Sequence, residues 1–189
     1  MWLRLDLEGI DFRMRISGYE PKRSDDEDHG GRWCQVDLLL QAQDWLRYRK
    51  ENDEVLEFDE VERLRDSIGD LLDHKTDQPT VMNCTEPDFE FRFYPAGDTK
   101  DGDHGLYVRQ GYFEIKDVFM EFALSFYDKG WGLMTTQLVM FFNRNDLEKL
   151  LCYLRFITGT VSDGGKEVTS MIDQGCLYES EEERETIKI

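Results

Sequence analysis

The stretch from Phe113 to Gly159 constrains the fold of this chain more than any other. Val118, Met120, Phe122, Leu124 and Phe126 alternate there with Asp117, Phe119, Glu121, Ala123 and Ser125, the period of two that marks a half-buried strand. Asp128-Lys129-Gly130-Trp131-Gly132 breaks the run, and a second strand is expected from Leu133 to Phe142. That strand is apolar at nearly every position after Gln137, which predicts a central strand covered on both faces. The period then becomes helical, with Leu147, Leu150, Leu151, Leu154 and Ile157 on one stripe. Asn143 is the expected N-cap, Asp146 sits near the positive end of the helix dipole, and Gly159 supplies a C-terminal stop. A hairpin with a helix packed on it is the expected core unit.

The rest of the chain fits around that unit. Leu3, Leu5 and Leu7, then Ile10, Phe12, Met14 and Ile16, alternate with polar residues on either side of Glu8-Gly9, which predicts an antiparallel hairpin. After the polar loop Gly18–Arg32, with its acidic run Asp25–Asp28, Trp33 opens a third strand. Cys34, Val36, Leu38 and Leu40 are expected inward, and Gln35, Asp37 and Gln41 outward. Trp45–Arg49 is a candidate fourth strand. Phe58, Val61, Leu64, Ile68, Leu71 and Leu72 define a helix over about Phe58–Asp73, and Thr80–Cys84 and Asp88–Tyr94 read as strands. The expected fold class is α+β: a curved antiparallel sheet or sandwich with two packed helices. Residues 1–159 are expected to form a single domain. Residues 160–189 lose periodicity and carry eight acidic residues against three basic ones, so they are expected to be a loosely packed or disordered acidic tail, with at most a short strand near Val168–Ile172. On that reading, deletion from about Val161 leaves the fold intact.

At 189 residues and 40% hydrophobic content the chain can bury a sizeable core, yet its formal charge is −18. Such acidity argues against direct binding to nucleic acid or an anionic membrane; it fits either a basic partner or a solubilising surface. Met1–Gly9 lacks the continuous apolar run of a secretion signal, and nothing approaches the roughly 18 apolar residues of a membrane span. Cys34, Cys84, Cys152 and Cys176 are scattered, with neither a CxxC nor a Cys/His pair. The expected setting is a reducing cytoplasm, with no disulfide framework and no metal site.

Candidates for chemistry are few. His29, His74 and His104 fall in loops or at a helix end, away from any nucleophile setting. Glu86-Pro87-Asp88 brings two carboxylates together at a strand entry, either as an acid/base pair or as a turn that stiffens the strand start. Asp98, Asp101 and Asp103 lack the closing Glu of a calcium loop. No phosphate-cradling loop is present, and no catalytic residue or cofactor is assigned.

One pattern runs against local physics. Asp59, Glu62, Asp66, Asp70 and Asp73 recur at helical spacing opposite the apolar face of the first helix. Like charges at i, i+4 cost a helix roughly 0.2–0.5 kcal/mol per pair, and Arg63 and Arg65 relieve this only in part. The stripe extends over about 20 Å at 1.5 Å per residue, too far to converge on one ion. It is either a solvated face or a docking surface for a basic protein.

Ile16-Ser17-Gly18-Tyr19-Glu20, Trp33 opening a strand, Glu86-Pro87-Asp88-Phe89-Glu90-Phe91, the Glu114–Phe126 strand and the Arg144–Gly159 helix together resemble the WapI-type immunity proteins. The resemblance covers roughly residues 1–159; Lys22–Gly31 and the segment after Gly159 look like additions to it. It implies a small acidic cytoplasmic protein that protects a bacterium from a wall-associated toxin with a nuclease-like C-terminal domain. It brings no catalytic residues. The function it implies is occlusion of a basic toxin domain. Two other readings stand beside it: a carboxylate-based hydrolase or metal-dependent enzyme using Glu86, Asp88 and loop carboxylates or His104, and a nucleic-acid mimic acting on another nucleic-acid-binding protein.

Overall fold

A computed structural model describes residues 1–21, 31–98, 114–127 and 134–179. In chain order the elements are β1 (Trp2–Leu7), β2 (Ile10–Ser17), β3 (Trp33–Ala42), β4 (Leu46–Glu57), α1 (Phe58–Leu72), β5 (Thr80–Asn83), β6 (Phe89–Tyr94), β7 (Gly97–Asp98), β8 (Glu114–Ile115), β9 (Phe119–Tyr127), β10 (Met134–Asn143), α2 (Arg144–Ile157), α3 (Lys166–Asp173) and β11 (Leu177–Tyr178). The class is α+β. The described residues form two open antiparallel sheets, of five and four strands, and a two-stranded ribbon of β7 and β8. The chain divides into two compact units, Met1–Glu62 with Lys149–Ile189, and Arg63–Glu148. The acidic run Asp25–Asp28, His29, Asp101, Asp103, His104 and the acids from Glu181 onward lie outside the described residues.

In the first unit the strand order is β11-β1-β2-β3-β4. The β1–β2 turn needs positive φ at two successive residues, and Glu8 (52°) and Gly9 (94°) supply it while Asp6 accepts the Gly9 N–H at 2.8 Å. Leu3, Leu5, Leu7, Phe12, Met14, Ile16, Cys34, Val36, Leu38 and Leu40 are buried, as their alternation requires. Tyr153, on the half of α2 that belongs to this unit, is fully buried. Its hydroxyl accepts the Ile16 N–H at 2.7 Å and donates to the Met1 carbonyl at 3.4 Å. Burial raises its phenol well above the usual range. The same cause pushes the Cys34 thiol up to about 12, that of an inert core residue.

The candidate strand at Trp45–Arg49 is, from Leu46 onward, part of the twelve-residue β4, with Trp45 in the turn before it; the register of β4 against β3 slips around Asp37, where Val36 faces Asp53 but Leu38 faces Lys50. Asp37 keeps its expected face but is buried rather than solvated, at 2% exposure. Its carboxylate accepts the Asn52 N–H at 2.9 Å and Arg15 Nε at 2.5 Å. It thus serves a backbone donor at the irregularity where the ladder slips. Asp37→Ala would leave that donor unmet and Arg15, seated 5.0 Å from the Trp2 ring, without its counter-ion. The expected loss is about 1–3 kcal/mol, read from the urea midpoint; an unchanged midpoint would show that water replaces the carboxylate.

The described part of the segment after Gly159, expected to be aperiodic, folds instead. Gly159 ends α2 at φ 71°, with Gly159 N–H on the Phe156 carbonyl and Thr160 N–H on that of Arg155. Where at most a strand was expected, α3 buries Val168 and Met171, and β11 pairs with β1, Leu177 opposite Leu3. Eight residues with two apolar anchors are too short a window for periodicity to register.

In the second unit the order is β10-β9-β6-β5. Phe89, Phe91, Phe93, Met120, Phe122, Leu124, Met140 and Phe142 are buried. The Phe122 ring packs edge-on to Phe89 and flat on Phe91, both at 4.9 Å between centroids; such pairs add about 0.5–1.5 kcal/mol beyond burial. The central and edge roles expected for the hairpin are reversed. β9 is central, and even its second face is covered at Ala123 and Ser125. β10 is the edge, with Phe141 55% exposed. Glu121 misleads because it looks solvated; it accepts from Arg92 at 3.3 Å and from the Tyr94 hydroxyl at 3.1 Å. At the start of α2, Asn143 and Asp146 exchange reciprocal bonds of 3.2 Å, a capping box.

Candidate functional site

At the start of helix α1, Glu60 Oε2 reaches back to accept the Glu57 N–H at 2.9 Å. Phe58, Val61, Leu64, Ile68 and Leu71 are buried along one side, leaving the acidic stripe on the other. The unit boundary falls within this helix, after Glu62, and the stripe changes character there.

Asp59 and Glu62, in the first unit, are half-buried rather than solvated. Tyr19 covers this end. Its ring lies 5.2 Å from that of Phe58 and its hydroxyl donates to Glu62 at 2.5 Å. Asp59 shares a hydrogen bond with Glu57, while its own Oδ1 is buried without a partner among the described residues. Burial, then the charges of Asp59 and Glu60, hold the Glu57 carboxyl above its ordinary range. The sign follows: a raised folded pKa lends stability only below the ordinary Glu range, and that stability is lost as pH rises. At neutral pH this end is electrostatically strained. No local pattern singles out Tyr19, which comes from a segment forty-three residues before Glu62.

Asp66, Asp70 and Asp73, in the second unit, have side chains 65%, 57% and 63% exposed. Asp66 pairs with Arg65 at 2.8 Å, and Lys75 bridges Asp70 at 3.3 Å and Asp73 at 2.8 Å. The hydrogen bond to Asp73 is the main reason the Lys75 ammonium titrates above its usual range. His74 takes the left-handed conformation, φ 56°, that ends the helix, with Lys75 N–H on the Asp70 carbonyl. Arg144 donates to His74 Nε2 at 3.2 Å and grips Asp117 at 2.8 Å. That grip keeps the Asp117 carboxyl below its ordinary range. Pairs this exposed add little to stability. Asp66 and Asp70 are set on the helix and Asp73 just beyond its end, all three exposed at their side chains.

Glu86 and Asp88, the carboxylates of the alternative reading, lie in a turn at the entry to β6. Pro87 accepts the Tyr127 hydroxyl and Asp88 the Ser125 N–H through their carbonyls, both at 2.8 Å, so Glu86-Pro87-Asp88 is a turn tying the start of β6 to β9. Among the described residues no three His, Cys, Asp or Glu side chains converge to hold a metal, and no helix is long and apolar enough to cross a membrane.

The sequence profile of the immunity protein WapI-like family matches residues 3–158, most of the chain. The chain belongs to this family. An immunity protein acts by inhibiting a toxin, so family membership implies a toxin protein as partner, and such proteins are generally not catalysts. The match includes every element from β2 through α2 and stops before α3 and β11. No curated protein matches the chain.

Proposed function

We propose that this chain is a stoichiometric, non-catalytic cytoplasmic inhibitor that occludes a basic, nuclease-like toxin domain, docking through the exposed half of the α1 stripe: Asp66, Asp70 and Asp73. Asp59 and Glu62 shape the covered end of the same helix and are not the leading contacts. The observation that carries the reading is the row of exposed carboxylates fixed along one helix, in a chain of net charge −18 that belongs to an immunity family. A toxin that grips phosphates presents cations for its substrate. Carboxylates that meet those cations speed encounter and compete with the nucleic acid.

The test is titration with a candidate basic toxin domain, sought first in the reading frames neighbouring this one. The expected result is complete inhibition at one equivalent, with association that slows as salt rises. Inhibition that is substoichiometric and grows with time would mean turnover and overturn the occlusion mechanism.

A further inference from the structure

The outward face of the first sheet is locally opposite in charge to the chain that carries it. Across it, Arg4 of β1 lies directly opposite Arg13 of β2, Arg13 opposite Leu39 of β3, and Leu39 opposite Arg49 of β4. Arg47 stands two residues before Arg49 and so shares its face. Like charges set directly opposite one another destabilise an antiparallel pair. A row holding three arginines is therefore a local cost, of the kind that marks a functional position. Asp11 lessens it. Its carboxylate accepts Arg4 Nε at 2.8 Å and Arg13 Nη2 at 2.7 Å, which also fixes both guanidinium groups.

These side chains border a hollow. Arg13, Arg47 and Arg49 line a space of about 210 Å³, with Asp11, Gln41 and the half-buried Leu39 among the other walls. Sites for whole drug-sized ligands run to about 300–1,000 Å³, so this one has room for a compact group. Arg49 is paired with Glu51, itself exposed. Arg47 is exposed and makes no ion pair among the described residues. In a chain with 41 acidic residues and 23 basic ones, an arginine without a carboxylate is against the odds. The charged lining residues and their ion partners Arg4 and Glu51 come to four arginines against two acids, a net of +2.

We propose that this hollow binds a phosphate group as its dianion, free or at the end of a small molecule. A guanidinium fork meets two phosphate oxygens at once and keeps its charge at any working pH. The net of +2 matches a dianion, whereas a carboxylate would leave half of it uncompensated. A polynucleotide is disfavoured, because its further phosphates would meet the negative charge of the rest of the chain. Every residue of the site lies in the first unit, while Asp66, Asp70 and Asp73 belong to the second. The site therefore stands apart from toxin docking.

The test is titration of the full chain with methyl phosphate at neutral pH and constant ionic strength, followed through the NMR signals of the arginine Nε–H groups. The expected result is a saturable shift centred on Arg13, Arg47 and Arg49, with half-saturation at about 1 mM or below. Inorganic phosphate should compete for the same signals. Affinity for methyl phosphate should fall as pH drops through its second pKa of about 6, while affinity for sulfate, which stays a dianion, should hold. Arg47→Gln removes an exposed side chain with no ion pair, so the urea midpoint should not move while affinity falls about tenfold. Arg49→Gln should act in the same direction. Shifts that never saturate, or an Arg47→Gln protein that binds as the parent does, would overturn the proposal. So would acetate binding as tightly as methyl phosphate, which makes this a carboxylate site, or a single-stranded oligonucleotide without a terminal phosphate outcompeting methyl phosphate.

Discussion

A chain ending at Thr160 is expected to lose the cooperative unfolding of its first unit, or to melt far below the full protein. The deletion removes Val168, Met171 and Leu177, at 0%, 5% and 1% exposure. It also strips β1 of its outer neighbour: Trp2 and Leu3 lose their pairing with Tyr178 and Leu177, Arg4 N–H loses the Cys176 carbonyl at 2.8 Å, and the Trp2 ring loses the Tyr178 ring stacked 6.4 Å away. Truncating one buried Leu or Met to Ala costs about 2–5 kcal/mol, against a total stability of about 5–15 kcal/mol for a typical domain. Losing three anchors and a strand is therefore comparable to the whole. The milder Leu177→Ala should lower the unfolding free energy measured in urea by about 2–5 kcal/mol while leaving far-ultraviolet circular dichroism intact. If the truncated chain unfolds cooperatively at the parent midpoint, α3 and β11 only decorate the unit.

That expectation reverses the one drawn from sequence, and the reason is general to this fold. Where a pattern is local and long, it was readable. The Leu3–Leu7 and Ile10–Ile16 alternations are β1 and β2, Phe58–Leu71 is α1, and Asn143 with Asp146 caps α2 as expected. The α+β class follows from those runs. What failed depends on which strand lies beside which. An apolar run such as Leu138–Phe142 looks like a central strand until topology places it at an edge, and Glu121 looks like a wet residue until Arg92 and Tyr94 arrive from β6. Asp37 and Tyr153 are likewise defined by distant partners, Asn52 and Ile16. The acidic stripe was legible as spacing, but its division was not, because Tyr19 reaches Glu62 across forty-three residues of sequence.

That division decides how the docking proposal should be tested. Asp66→Lys combined with Asp70→Lys is expected to cut the association rate with the toxin domain by tenfold or more and to flatten its salt dependence, since exposed charges act mainly on encounter. Dissociation should change less. The isolated protein should stay within about 1 kcal/mol of the parent: the reversal gives up exposed pairs with Arg65 and Lys75 but also relieves the like-charge spacing along the helix. Asp59→Lys with Glu62→Lys is the informative contrast. Those positions are half-buried, and Glu62 holds the Tyr19 hydroxyl at 2.5 Å, so reversal there should lower the unfolding midpoint as well as binding. Stopped-flow association at several salt concentrations, with urea unfolding of each double variant, separates the cases. An Asp66/Asp70 variant that binds with the parent's rate and salt slope would make the exposed half of α1 a solvated face, and the toxin would have to be met elsewhere.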